Sequence, residues 1–251
     1  MIWVDKEEIK KLAGLLYELM RENKLSEVGD VLLDSLEKER TDKLGIVRTP
    51  TLNSIGRELG KLIVGEDWKF ERLLRLWKMS FESVGGREIR YIIINALGVI
   101  SKTDYDGSKK FVLSVLNDLS DWESVDALAL RVIVNLAKQN KQEIFLLLKE
   151  WVGSKNKWVR RLAMATIAPY IRAKPKDAEP CLGIIEKLME EKDRDVRKAI
   201  AWALREVSKK NPKIVYEFLR RYVDSTDANT RWIVKEGSKK LPKNCRDKLN
   251  V

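Results

Sequence analysis

The stretch VRKAIAWALREVSKKNP, residues 196–212, decides the fold. At 100° per residue, Val196, Ile200, Ala203 and Val207 fall in one narrow sector, which predicts an amphipathic helix buried along that stripe. Pro212 follows the helix. Lys198, Trp202, Arg205 and Lys209 form a second stripe on the opposite side. A core has no use for two lysines, and a merely solvated face gains nothing from an indole. The second stripe is therefore read as a surface that touches something flat and negative.

Working outward, nearly every segment repeats the 3.6-residue period, and breakers recur at Asn23, Pro50, Gly85 and Gly86, Gly107, Asn140, Gly153, Pro175, Pro212 and Pro242. No alternating strand pattern competes. TPTLNSIGRELGKLI opens on a Thr cap with Pro at the first helical position, and DSTDANTRWIVKEGSKKLP carries Asp and Ser/Thr before its helix and Pro after it. The chain reads as about a dozen helices. Trp122 and Trp158 are 36 residues apart and Trp158 and Trp202 are 44 apart, close to the length of a two-helix solenoid unit of the HEAT or armadillo type. The expected architecture is an all-α, curved solenoid of HEAT-like repeats with a basic concave groove, formed as one domain over residues 1–251.

Composition narrows the chemistry. The 251 residues include 49 Lys and Arg against 38 Asp and Glu, a net charge of +11, which favours a polyanionic partner. There is no histidine and there are two cysteines, Cys181 and Cys245, with no CxxC. That pattern argues against a zinc site and a disulfide framework and favours a reducing, intracellular setting. The commonest general base is missing, so catalysis must rest on carboxylate or lysine. No phosphate loop, nucleophile pair or cofactor motif is present, and neither a cofactor nor a metal is expected. No apolar run approaches the roughly 18 residues of a membrane span, and the opening MIWVDKEEIKKLAGLL is acidic and amphipathic, unlike an export signal.

Three helices hold the candidate site. In SDWESVDALALRVIVNLAKQ, Val125, Ala129, Val132 and Leu136 make the buried stripe, and Trp122 and Asp126 lie one turn apart on its flank. NKWVRRLAMATIAPY puts Trp158 and Arg161 on one face, and Trp202 and Arg205 repeat that arrangement. Together they would assemble an aromatic groove that is cationic around a single carboxylate, which is unusual for a scaffold.

In DWESVD, KWVRR and KAIAWALREVSKKNPKIVYEF, and more weakly in GIVRTPTLNSIGREL and LWKMSFESVGGREIRYIIINAL, the chain resembles the DNA alkylation repair enzymes, HEAT-like alkylpurine DNA glycosylases of the AlkD kind. The resemblance covers about residues 45–223. It implies removal of N3- and N7-alkylated purines from duplex DNA in base excision repair, with Trp122, Asp126 and Trp202 catalytic. Arg161 and Arg205 would hold the backbone around the lesion, with Trp158, Lys198 and Lys209 completing the DNA surface. A monomer acting on DNA inside the cell is expected. The alternative is a HEAT-like scaffold that binds nucleic acid or protein without cutting.

Overall fold

The computed structural model describes residues 5–39 and 45–250, so the MIWV that opens the first amphipathic stretch lies outside the described residues. The chain packs as two compact units, Met1–Val115 and Leu116–Val251. All regular elements of the described residues are helical, as the 3.6-residue period requires.

The first unit contains α1 (Lys6–Arg21), α2 (Val28–Ser35), α3 (Thr49–Ile63), α4 (Lys69–Met79), α5 (Gly86–Ile100) and α6 (Tyr105–Val115). α1, α3 and α5 lie side by side. The α3–α5 crossing is unusually close because Gly56 and Gly60 carry no side chain. A Cβ on Gly56 would stand 2.6 Å from the Ile92 carbonyl, and one on Gly60 would stand 2.7 Å from that of Ala96. α3 begins one residue earlier than its Thr-Pro signal suggests. Arg48 is the extended flanking residue and Thr49 is already helical.

The second unit carries every candidate site residue read from the sequence. α7 (Trp122–Leu128) runs through a π turn (Ala129–Ile133) into α8 (Val134–Gln139), followed by α9 (Lys141–Trp151), α10 (Lys157–Ala173), α11 (Ala178–Ile185), α12 (Arg194–Ser208), α13 (Pro212–Arg220), α14 (Ala228–Gly237) and α15 (Lys243–Lys248). The rod α7–α8 and helices α10, α12 and α14 form one layer, and α9, α11 and α13 form the other. This is the two-layer stack of a helical repeat. Both predicted core stripes are buried: Val125, Ala129, Val132 and Leu136, and Val196, Ile200, Ala203 and Val207.

The repeat is set by helix caps and not by tryptophans. Asp121, Asn156, Asp193 and Asp227 each cap the helix that follows by accepting backbone N–H groups, at intervals of 35, 37 and 34 residues. The three tryptophans read as equivalent are not: Trp122 is the first residue of α7, Trp158 the second of α10, and Trp202 the ninth of α12. A second signature accompanies the caps. The cap residue's own N–H donates two residues back, from Asn156 to Ser154 Oγ, from Asp193 to Glu191 Oε1 and from Asp227 to Ser225 Oγ. Four residues after the cap, Arg160 donates to the Ser154 and Lys155 carbonyls and Arg231 to those of Ser225 and Thr226.

Burial pushes the Asp193 carboxyl up, but hydrogen bonds from the Val196 and Asp195 N–H groups and from Lys157 outweigh it and hold the group below its ordinary 3.8. A depressed folded-state pKa adds stability above the unfolded value, and that stability disappears as pH falls through the folded value. Asp193→Ala is therefore expected to lower unfolding stability at pH 7 by about 1 kcal/mol. The gap from the native chain should narrow below about pH 4. Urea midpoints across that pH range check both statements.

Candidate nucleic-acid interface

The cap register defines a row of side chains at the fifth residue after each cap: Asp126 on α7, Arg161 on α10, Lys198 on α12 and Trp232 on α14. The first two meet. Arg161 Nε donates to Asp126 Oδ1 at 2.9 Å and Nη2 donates to Oδ2 at 2.7 Å, a bidentate pair. Nη1 donates to the Asp195 carbonyl at 2.5 Å. The side chains of Arg161 and Asp126 are only 8% and 17% exposed. Burial pushes the Asp126 carboxyl above its ordinary range, and Arg161 pulls the other way.

This changes the reading of Arg161. From the sequence it was a cation offered to phosphates; in the structure it is buried and its donors are engaged by Asp126 and by the start of α12. A guanidinium that donates to both oxygens favours the ionised carboxyl, because its charge and its two donors are best matched by two acceptor oxygens. One lone pair on each Asp126 oxygen remains unused by this geometry. The π turn starts three residues after Asp126, and such turns recur at functional sites.

Trp122 stands one helical turn before Asp126 and is 54% exposed, while Leu130, one turn after it, is also exposed. Leu130 was overlooked in the sequence because it reads as one more core leucine. Trp158 is half-buried, with the Lys157 ammonium 4.5 Å above its ring. Lys157 in turn pairs with Asp195 at 2.9 Å and Asp193 at 3.3 Å. Lys157 and Asp195 thus belong to the surroundings of the site, a link that local periodicity does not reveal.

On α12, Lys198 is exposed, and Trp202, one turn further on, is half-buried. Arg205 is half-buried and donates to the Glu236 carbonyl at 3.2 Å. Lys209 is committed to the buried Glu206 at 2.6 Å, a carboxylate that Arg172 also holds at 2.8 Å. The stripe opposite the core is therefore graded. Lys198 is exposed, Trp202 and Arg205 are partly covered by neighbouring structure, and Lys209 serves a local ion pair. Among the described residues no helix is long and apolar enough to cross a membrane.

The layered helices, capped at a regular interval, define a helical-repeat protein that carries an ion-paired carboxylate beside an exposed indole. Residues 33–241 match the family model of the DNA alkylation repair enzymes. The chain belongs to that family. It is 34% identical over 113 residues to the uncharacterized protein YhaZ of Bacillus subtilis, a match spanning 41% of this chain and 30% of the length of that relative. Among solved structures, a predicted DNA alkylation repair enzyme from Enterococcus faecalis superposes with a TM-score of 0.63 at 21% identity, over 86% of this chain and 96% of its own. The alkylpurine DNA glycosylase AlkC of Pseudomonas fluorescens, bound to DNA containing an abasic site analog, superposes with a TM-score of 0.59 at 15% identity, over 94% of this chain and 62% of its own. At these identities the superpositions establish the fold.

Proposed function

We propose that the chain is a DNA glycosylase that releases N3- and N7-alkylated purines from duplex DNA, with residues 1–251 serving as one repeat domain and acting as a monomer. The observation that carries this reading is the Asp126 carboxylate, oriented by Arg161 beside the exposed Trp122. An alkylated purine of this kind carries formal positive charge, so its glycosidic bond breaks with the electron pair going to the base, which leaves neutral. Positive charge develops on the sugar. Asp126 stabilises that charge with its unused lone pairs and positions the attacking water, which bonds to the sugar carbon and loses its proton to solvent; a fixed group facing developing charge is worth roughly 2.7–4 kcal/mol. Trp122 and Trp202 supply indole faces for the cationic lesion and its sugar, each worth about 0.5–2 kcal/mol.

In this reading Arg161 is a positioning residue for Asp126, and backbone contact passes to Lys198, Arg205 and the surface around Trp158. Lys209 contributes positive potential at the edge. Family resemblance implies that the base stays stacked while its backbone is held, in place of the flipping used by other glycosylases.

The test is a duplex with a single 7-methylguanine, incubated with the protein and then treated with alkali. An alkali-labile abasic site at that position is expected; an intact strand would remove the reading. Binding has its own expected result. The logarithm of duplex affinity should fall linearly with the logarithm of salt concentration, and Lys198→Ala and Arg205→Ala should each shallow the slope by about one. Filter binding at four salt concentrations measures it, and a salt-insensitive complex would contradict it.

A further inference from the structure

Arg197 departs from the repeat. Its counterparts four residues after the caps, Arg160 and Arg231, fold back onto the carbonyls that precede their own helices. Arg197 instead extends towards α14, where its guanidinium lies 5.1 Å from the ring centroid of Trp232, the last member of the fifth-position row. Among the described residues it has no hydrogen bond or ion pair; its Nε is buried without a partner, while its two Nη groups are not buried. A guanidinium that covers an aromatic face keeps its donors at its edge, in a fixed fork that matches two oxygens of a phosphate. Lys198, exposed on the adjacent position of the same helix, adds a second positive charge.

We propose that Arg197, seated on Trp232, is a phosphodiester clamp that takes a backbone phosphate of duplex DNA at the α12–α14 end of the row. The proposal rests on the DNA-directed function argued above and assigns a binding site outside the residues resembling the family motifs. Trp232 holds the guanidinium without consuming its donors. The role of Arg197 is to bind the backbone away from the reacting sugar, with no part in bond cleavage.

The experiment measures duplex affinity against salt concentration for the native chain, Arg197→Gln, Arg197→Lys and Trp232→Phe, with urea midpoints to confirm folding. Arg197→Gln should shallow the log–log slope by about one, and at 0.1 M salt this corresponds to a loss of about tenfold in affinity. Arg197→Lys should keep the slope yet bind less tightly than the native chain, and Trp232→Phe should retain most of both. A folded Arg197→Gln variant with the native slope and affinity would overturn the clamp. Inorganic phosphate titrated calorimetrically separates the two sources of the anion. Saturable phosphate binding that Arg197→Gln abolishes, with duplex affinity unchanged, would assign the fork to a free ion and overturn the proposal. If the native chain itself neither binds duplex nor excises 7-methylguanine, the functional reading fails; if it does both and Arg197→Gln behaves as native, only the clamp fails.

Discussion

Asp126→Asn should reduce release of 7-methylguanine by about a hundredfold or more while duplex affinity stays level or rises. The amide keeps the size of the side chain and removes the charge that faces the sugar. Binding is spared because Asp126 repels phosphate. The structure adds a second consequence, because Asp126 is not a free surface carboxylate. Its bidentate partner Arg161 is buried, and removing one member of a buried pair leaves the other charge uncompensated, a loss of about 3 kcal/mol. The carbonyl oxygen of Asn can still accept one of the two hydrogen bonds, so the stability loss should be smaller than for Asp126→Ala. Urea unfolding of the same preparations separates the two effects: a folded variant that binds duplex but does not excise supports a chemical role. Equal loss of binding and excision would make Asp126 a structural residue.

Excision should also discriminate by charge, with 7-methylguanine and 3-methyladenine released and uracil, hypoxanthine and O6-methylguanine left in place. A neutral base is a poor leaving group unless a general acid protonates it, a contribution of about 10²–10⁴-fold. The chain has no histidine, and Asp126 is held as an acceptor by two guanidinium donors. Burial alone would favour its protonated form, but the bidentate geometry opposes that form. Single-turnover assays on five duplexes, each with one such base, measure the discrimination. Efficient removal of uracil or hypoxanthine would require a proton donor that this account lacks.

The helical period made the core legible. Val125, Ala129, Val132 and Leu136, like Val196, Ile200, Ala203 and Val207, are buried as their spacing demands, because a 100° rotation per residue is a local property. The repeat register was also present, in SKNKW, EKDRD and STDAN, but spacing the tryptophans obscured it. Capping explains the difference. A cap satisfies backbone N–H groups at a fixed point of each helix, whereas Trp122 and Trp202 answer to what each helix touches. The Asp126–Arg161 pair was hidden for a related reason: a helical wheel shows that a guanidinium leaves the core face, and cannot show that a carboxylate 35 residues earlier awaits it. Arg197 over Trp232 is a contact of the same kind, between helices one repeat apart.

The central claim is that this chain cleaves the glycosidic bond of cationic purines in duplex DNA. Incubating the native protein with methylated duplex and chromatographing the soluble fraction tests it most directly. 3-Methyladenine and 7-methylguanine are expected as free bases, with abasic sites left in otherwise continuous strands. A duplex that is bound with the expected salt dependence yet keeps every methylated base attached would contradict it.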